Sequence, residues 1–425
     1  MPWKETCAVE ERLKFVLECQ EGECSKAALC RLYGISRPTG DKWLARHAET
    51  GIKGLDNRSR APARHPNQVG EDIERAIVEA RRAHPHWGPK KLRVVLGRQG
   101  PRRHWPACST LGEILRRHGL TVPRKRRRRT PPYTRPFVDC TEANAVWCAD
   151  FKGWFLTGDD RRCEPLTITD ADTRFLLRCQ AVEDTGYQAT RSLFEATFRQ
   201  YGLPRAIRTD NGSPFASRGI FGLSRLSAWW ITLGILPERI EPGQPQQNGR
   251  HERMHGTLKA ETARPPKATL RSQQRCFDRF RETFNHERPH EALGMRCPGE
   301  VYVCSPRAYP ERLSPLAYPS GLTVRMVQKR GEFYWNGHRV FLGEAFGEER
   351  VGLEPLDGRY WSVYFSDRVI GVFDAQGYEL LPLEKAASAG IGVAPSGGPS
   401  APLQGLQTLP QQPRNVKHVP GLKSK

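Results

Sequence analysis

The chain has 425 residues and a formal net charge of +21, from 67 Lys and Arg against 46 Asp and Glu. This length predicts roughly two to four domains with ample core, and the excess of basic residues points to a polyanionic partner. No run approaches the ~20 apolar residues of a spanning helix, and the start, MPWKETCAVEERLKF, has no leader-like apolar stretch, which excludes membrane and secreted classes and predicts a cytosolic chain with reduced thiols.

The 12 Cys include no C-x-x-C pair, and Cys7, Cys19, Cys24 and Cys30 lack a matching His rhythm, which argues against a structural zinc. The first sixty residues read as short helices. In SKAALCRLYGISRPTGDKWLARHAETG, Ala28, Leu29 and Leu32 mark an apolar face and Gly34 breaks the helix. Ser36 can cap the next helix, Pro38 fits its first turn, and Trp43 and Leu44 supply its core face. This is the spacing of a helix-turn-helix over 1–62, with Arg37, Thr39, Asp41 and Lys42 exposed toward the major groove. A plain helical hairpin fits the same pattern.

A second helical unit is expected over 68–122. GEDIERAIVEARRAHP carries Ile73, Ala76, Ile77 and Ala80 at spacings of three and four. A further helix follows in HWGPKKLRVVLGRQG. In STLGEILRRHGL, Ser109 or Thr110 can cap, Leu111, Ile114 and Leu115 form the face, and Gly119 stops the helix. A basic linker over 123–138 comes next. From Ile114 to Val138 there are nine Lys or Arg and no acid, including Arg124, Lys125, Arg126, Arg127, Arg128 and Arg129 in an unbroken run. Such a run repels itself and pairs best with phosphates.

Over 139–300 the pattern changes to strands alternating with helices. AVWCADFKGWF and LTITDADTRFLLRCQAV read as three strands, TRSLFEATFRQYG as a helix closed by Gly202, and PRAIRTDNG as a short strand. RLSAWWITLGI is a second helix, ILPERIEP a last strand, and two helices follow, which predicts an α/β core with a mixed sheet. Over 318–384 short strands are punctuated by Asn336-Gly337, Asp357-Gly358, Ser366-Asp367 and Gln376-Gly377, suggesting a small β-barrel of the SH3-like kind. The tail over 385–425, uncharged from Ala386 to Pro413 and rich in Pro, Gly, Ser and Gln, should be disordered.

Three acids stand where the sheet would gather them: Asp150 in a strand, Asp210 closing the next, and Glu252 on the helix after Gln247. A carboxylate cluster repels itself unless cations bind it. Hard oxygens suit Mg²⁺ or Mn²⁺, and two ions per site could activate the attacking oxygen and stabilise the leaving one. Each acid also has a plainer reading: a turn for Asp210, a strand edge for Asp150, a solvated face between Arg250 and Arg253 for Glu252. Against the last, Asn248, Glu252, His255 and Lys259 fall within about 60° of one another on a helix, while Met254 and Leu258 turn inward. That face joins a metal ligand to groups that hold phosphate.

Residues 139–298 resemble the catalytic core of DDE-type transposases of bacterial insertion sequences, which are related to retroviral integrases. The likeness rests on W-C-A-D-F-K at Trp147–Lys152, T-D-N-G-S-P-F at Thr209–Phe215, Q-P-Q-Q-N-G-R-H-E-R-M-H-G-T-L-K at Gln244–Lys259 and F-N-H-E-R-P-H-E-A-L-G at Phe284–Gly294. It implies a ribonuclease-H-like core, with Asp150, Asp210 and Glu252 as catalytic triad and metal ligands and a DNA-contacting lysine at Lys259. It also agrees with helix-turn-helix units at the amino terminus. Forty-one residues separate Asp210 from Glu252, more than such cores usually have. Ser217–Leu226 reads as the insertion responsible, and Glu241 is the competitor for third ligand if it is not. The implied activity is transposition: metal-dependent hydrolysis at the ends of a mobile element, then strand transfer into target DNA. A homo-oligomer on double-stranded DNA and a bacterial, nucleoid-associated location would follow. An inactive core serving a DNA-binding regulator, or a simple nuclease of the same fold, are the rival readings.

Overall fold

The computed structural model describes residues 7–59, 68–121, 140–217, 219, 221–240 and 249–392, without the side chain of Arg250. The chain divides into two compact units, Met1–Val69 and Gly70–Lys425.

In the first unit, α1 (Ala8–Glu21), α2 (Lys26–Leu32) and α3 (Arg37–Thr50) enclose Phe15, Val16, Leu29, Cys30, Trp43 and Leu55. Ser36 caps α3 by accepting from the Thr39 amide, with Pro38 in the first turn, as its sequence predicts. A side chain at Gly40 would stand 2.8 Å from Cys30 Sγ and 2.9 Å from Phe15, so glycine there lets three helices cross closely. The expected face of α2 needs correction, because Leu32 is 76% exposed and Cys30 is buried in its place. The helix ends one turn early for Leu32: the Ile35 amide closes back onto the Cys30 carbonyl, with Gly34 at φ 62°.

The second unit opens with α4 (Glu71–Ala83), α5 (Pro89–Gln99) and α6 (Cys108–Arg117), packed around Ile77, Leu92, Leu96, Leu111, Ile114 and Leu115. Neither Ser109 nor Thr110 caps α6; it starts at Cys108 after Ala107, with no side-chain cap. This helical bundle is fastened to the rest of its unit. Arg98 reaches Glu300 at 2.9 Å and Cys297 Sγ at 3.2 Å, and Lys90 reaches Glu291 at 3.1 Å.

The core is a mixed sheet. Strands β1 (Val146–Phe151), β2 (Phe155–Leu156), β3 (Arg162–Asp170) and β4 (Leu176–Val182) come first, and α7 (Tyr187–Tyr201) leads to β5 (Ala206–Thr209). Then α8 (Arg225–Thr232), β6 (Leu236–Arg239), α9 (Gly249–Thr262) and α10 (Leu270–Glu282) follow. The sheet order is β2-β3-β1-β5-β6, with β4 also on β3. Antiparallel pairing joins β1, β3 and β4, while β1, β5 and β6 run parallel. Trp147 and Ala149 face α7 and α8, packing on Phe194, Phe198, Leu226 and Trp230. On the opposite face α9 and α10 bury Met254, Leu258, Phe277 and Phe280 against Cys163, Leu176 and Cys179.

The carboxy-terminal strands do not close as the barrel expectation has them. Strands β7 (Thr323–Met326), β10 (Arg350–Pro355), β11 (Tyr360–Phe365), β12 (Arg368–Asp374) and β13 (Glu379–Leu381) make an open five-stranded sheet. The others, β8 (Glu332–Trp335) and β9 (His338–Phe341), form a separate hairpin turned at Asn336-Gly337. One apolar cluster fills the space between the two, including Phe333, Trp335, Val351, Val363 and Phe373, so side chains rather than ladder bonds join them. The tail expectation is also corrected at its start: α11 (Leu383–Ser388) buries Ala386 completely. Residues 393–425 lie outside the described residues.

The cluster under the carboxy-terminal sheet takes in Phe221 and Leu223, from the segment read as an insertion, and Ala228 and Ile231 of α8. A side chain at Gly371 would meet the Phe221 ring at 2.2 Å. Gly371→Ala should therefore cost about 1–3 kcal/mol by overpacking. A denaturant double-mutant cycle with Phe221→Ala should recover part of that cost, and strict additivity would show that the two do not touch.

Candidate catalytic carboxylates and nucleic-acid interface

The register of β1 and β5 pairs Val146 with Ala206, Trp147 with Ile207 and Cys148 with Arg208. Two residues further on, Asp150 and Asp210 occupy equivalent positions at the carboxyl ends of adjacent parallel strands. Side chains two apart share a face, so Asp150 projects with Cys148 and Asp210 with Arg208. Neighbouring strands lie ~4.8 Å apart, which brings the two carboxylates to one end of the sheet. Asp150 is buried and Asp210 half-buried, the latter accepting from the Gly212 amide at 3.1 Å in an Asx turn.

Helix α9 is anchored to this sheet by two imidazoles. Thr167 pairs with Asp150 across β1 and β3. Its hydroxyl donates to the Asp150 carbonyl at 3.2 Å and stands 2.7 Å from His251 Nε2 and 2.6 Å from His255 Nε2. A hydroxyl has one proton to give, so both rings donate to Thr167 through Nε2. His251 Nδ1 then accepts from Thr169 at 2.9 Å. Met254 and Leu258 turn inward as their spacing predicts.

The expected phosphate-holding face of α9 divides in the structure. Glu252 is exposed in the first turn and Lys259 is partly exposed. His255 is 3% exposed, bonded to Thr167, with Nδ1 3.7 Å from Asp150. Phosphate cannot reach it, so its assignment as a DNA contact is corrected to a packing and positioning group. The reason is its neighbour β3, whose Thr167 takes an imidazole in place of solvent. Among the described residues no three His, Cys, Asp or Glu side chains stand close enough together to hold a metal ion. Asp150 and Asp210 are brought together; Glu252 is on the adjoining helix, outside their immediate cluster. Asn248, Glu241 and Arg124–Arg129 lie outside the described residues.

Positive charge gathers at the far end of α9. Burial first, then the nearby Arg264 and Lys152, pushes the Lys259 amine below its ordinary value. In the first unit Arg37 and Lys42 are exposed on α3, with the Lys42 amine 4.4 Å from the Trp43 ring centre. Thr39 and Asp41 are engaged locally, Thr39 with Ser36 at 2.9 Å and Asp41 with Lys26 at 2.6 Å. His251, Thr167 and Thr169 are functional-site residues not expected from the sequence. Their signal was present as H-x-x-x-H on a helix and T-x-T on a strand, each spacing placing both members on one face.

Comparison with known proteins agrees with this geometry. Integrase core domain models match residues 141–245 and 233–298. A helix-turn-helix domain model matches 11–63, and a homeodomain-like domain 39–115. The model of the IS481 family transposase C-terminal domain matches 322–378. The insertion element IS407 31.7 kDa protein of Burkholderia multivorans is 28% identical over 55% of this chain and 82% of its own. The insertion element IS476 39.2 kDa protein of Xanthomonas euvesicatoria is 28% identical over 65% of this chain and 72% of its own. The transposase InsD of insertion element IS2 from Escherichia coli is 27% identical over 51% of this chain and 73% of its own.

Burial gives the site a pH signature. Burial, with Lys152 adding to it, lowers the His251 imidazole to about 3. Burial, then Lys91 and Arg288, lowers His290 to about 3. Both rings are neutral when folded and would charge near pH 6.5 when unfolded. The unfolded chain then binds more protons between about pH 6.5 and 3, so stability is lost as pH falls through that window, by up to ~1.4 kcal/mol per pH unit per ring. Denaturant titrations across pH 7 to 5.5 should show a shallower slope for His290→Gln; an unchanged slope would contradict burial of a neutral ring. From its matched domains and its relatives, the chain is related to the insertion-sequence transposases and carries an integrase-type core.

Proposed function

We propose that the chain is a metal-dependent polynucleotidyl transferase that frees a 3′-hydroxyl at each end of its own mobile element and joins it to target DNA. The observation that carries this reading is the in-register placement of Asp150 and Asp210 at the ends of adjacent parallel strands, beside the helix that bears Glu252. Asp150, Asp210 and Glu252 would hold Mg²⁺ or Mn²⁺, two ions per site. The ions would supply charge for the attacking and leaving oxygens of a phosphodiester exchange. Carboxylate oxygens are the donor set that hard cations prefer.

The chain's own groups have separable tasks. Thr167, His251 and His255 hold β1 and α9 in a fixed relation, so the carboxylates are set before DNA arrives. Lys259, with Lys152 and Arg264 near it, would draw the phosphate backbone to that end of the helix. Arg37 and Lys42 would read base edges from α3, while the Arg124–Arg129 run would hold phosphates without preference. Two element ends call for at least two active sites, so a homo-oligomer on double-stranded DNA belongs to the proposal. Among the described residues no helix is long and apolar enough to cross a membrane.

Asp150→Asn and Asp210→Asn should each abolish Mg²⁺-dependent cleavage of DNA carrying the element's flanking repeats, with DNA binding changed less than about twofold, because affinity rests on cations elsewhere. Cleavage persisting in either variant refutes the reading. Glu252→Gln should be inactive and Glu241→Gln active in the same strand-transfer assay. The opposite result moves the third ligand to Glu241.

Replacing Arg37 and Lys42 by Ala should reduce the ratio of matched to unmatched affinity. Neutralising Arg124–Arg129 should instead weaken both DNAs alike and flatten the salt dependence by up to ~5 units of slope. Loss of discrimination in the second variant alone would reverse the assignment.

A further inference from the structure

Beside α9, on the face of the sheet that carries Asp150, lies a cavity of about 630 Å³ between α5, the β1–β3 ladder and the segment after α10. Its volume is in the ~300–1,000 Å³ range of small-molecule sites. The lining is of two kinds. Phe284 and Met254 give an apolar wall, and Lys91, Arg174, Arg253 and Arg288 give positive charge. The acids nearby are committed elsewhere. Asp170 accepts from the Asn144 and Thr173 amides and the Thr173 hydroxyl, Glu291 pairs with Lys90, and Glu261 pairs with Arg288.

Lys91 is the conspicuous member. It is half-buried and its amine has no ion-pair or hydrogen-bond partner among the described residues; burial first, then Arg288, lowers that amine to about 8 against the opposing pull of Glu291 and Glu261. Close by, Arg288 Nε is buried without a partner among the described residues. A buried donor, and a half-buried ammonium whose nearest carboxylates are engaged with other cations, are costly unless an anion completes them. An apolar wall facing a cluster of cations matches a nucleotide, which has a flat base and a charged phosphate.

We infer that this cavity binds a nucleotide, its base against Phe284 and Met254 and its phosphate on Lys91 and the neighbouring guanidinium groups. The source is an unpaired nucleotide at a DNA end or a free nucleoside triphosphate, and this part rests on the proposed action at DNA ends only for the first of these. Unlike the proposed catalytic role, it needs no metal and no reaction.

The test uses the full chain in EDTA, with labelled duplexes that are blunt or carry two unpaired thymidines at one end, and with dTTP alone in calorimetry. The unpaired end should bind roughly tenfold tighter than the blunt one, the worth of one charged hydrogen-bonded contact. Lys91→Met should erase that gain without changing blunt binding, Lys91→Arg should keep most of it, and exposed Arg253→Gln should reduce it. Melting curves establish that each variant is folded. Binding of dTTP that Lys91→Met abolishes, without an end preference, assigns the cavity to free nucleotide and supports it equally. Neither an end preference nor dTTP binding, or either one untouched by Lys91→Met and Arg253→Gln, overturns the inference. A chain that binds no duplex but cleanly binds dTTP would sink the DNA reading and leave the cavity assigned.

Discussion

Strand β1 is paired on both edges, antiparallel to β3 and parallel to β5, and neither pairing can slip alone. A one-residue shift against β5 would turn Asp150 and Asp210 to opposite faces, and would also drive Trp147 out of the aromatic core on the other side. Register is therefore enforced by burial on both faces of the strand. The carboxylates inherit positions that the hydrophobic core has already fixed. Thr167 extends this constraint to the third element, because the residue opposite Asp150 is also the one that holds His251 and His255 of α9. A single cross-strand pair thus ties together the strand bearing the first acid and the helix bearing Glu252.

Much of this was legible in the sequence, for physical reasons that differ by element. The strands around Asp150 and Asp210 are β-branched and aromatic runs ending at turn residues, and α7 closes at Gly202 in the left-handed region, φ 78°. Inward-facing Met254 and Leu258 follow from helical spacing alone. What failed was anything decided by a neighbour distant in sequence. His255 shares a helical arc with Glu252, but only the presence of Thr167 on β3 decides that it is buried. Leu32 looked like core because periodicity does not show that α2 stops there. The turns of the carboxy-terminal strands were readable, yet whether the strands close depends on ladder partners, and here the hairpin β8-β9 joins the sheet through side chains.

The long interval between Asp210 and Glu252 acquires a structural account. Ala216 bridges to Leu223, and the Ser217 hydroxyl donates to the Leu223 carbonyl at 2.7 Å, folding the segment back on itself. That fold presents Phe221 to the carboxy-terminal sheet, where Gly371 leaves room for its ring. The segment from Ala216 to Leu223, read from the sequence as an insertion, therefore packs as a seat for the carboxy-terminal sheet. The seat begins six residues after Asp210, so the packing of the carboxy-terminal sheet and the carboxylate end of the core share one short segment.

Lys152, Lys259 and Arg264 crowd one end of α9, while Lys91 and Arg288 crowd its flank, and Lys259 and Lys91 are held below their ordinary values, by burial first and then by these neighbours. Amines shifted in this way oppose folding, because burial and neighbouring cations disfavour their charged form in the folded chain. The aromatic core on the opposite face, from Trp147 to Phe198 and Trp230, and the double pairing of β1 supply rigid support for that expense. Under the proposed function, a polyanion at this surface would relieve the repulsion, with the strong salt dependence that phosphate contacts impose. Rigidity on one face and crowded charge on the other are therefore two sides of one arrangement, in which the aromatic core supports the cationic face that the proposed function assigns to nucleic acid.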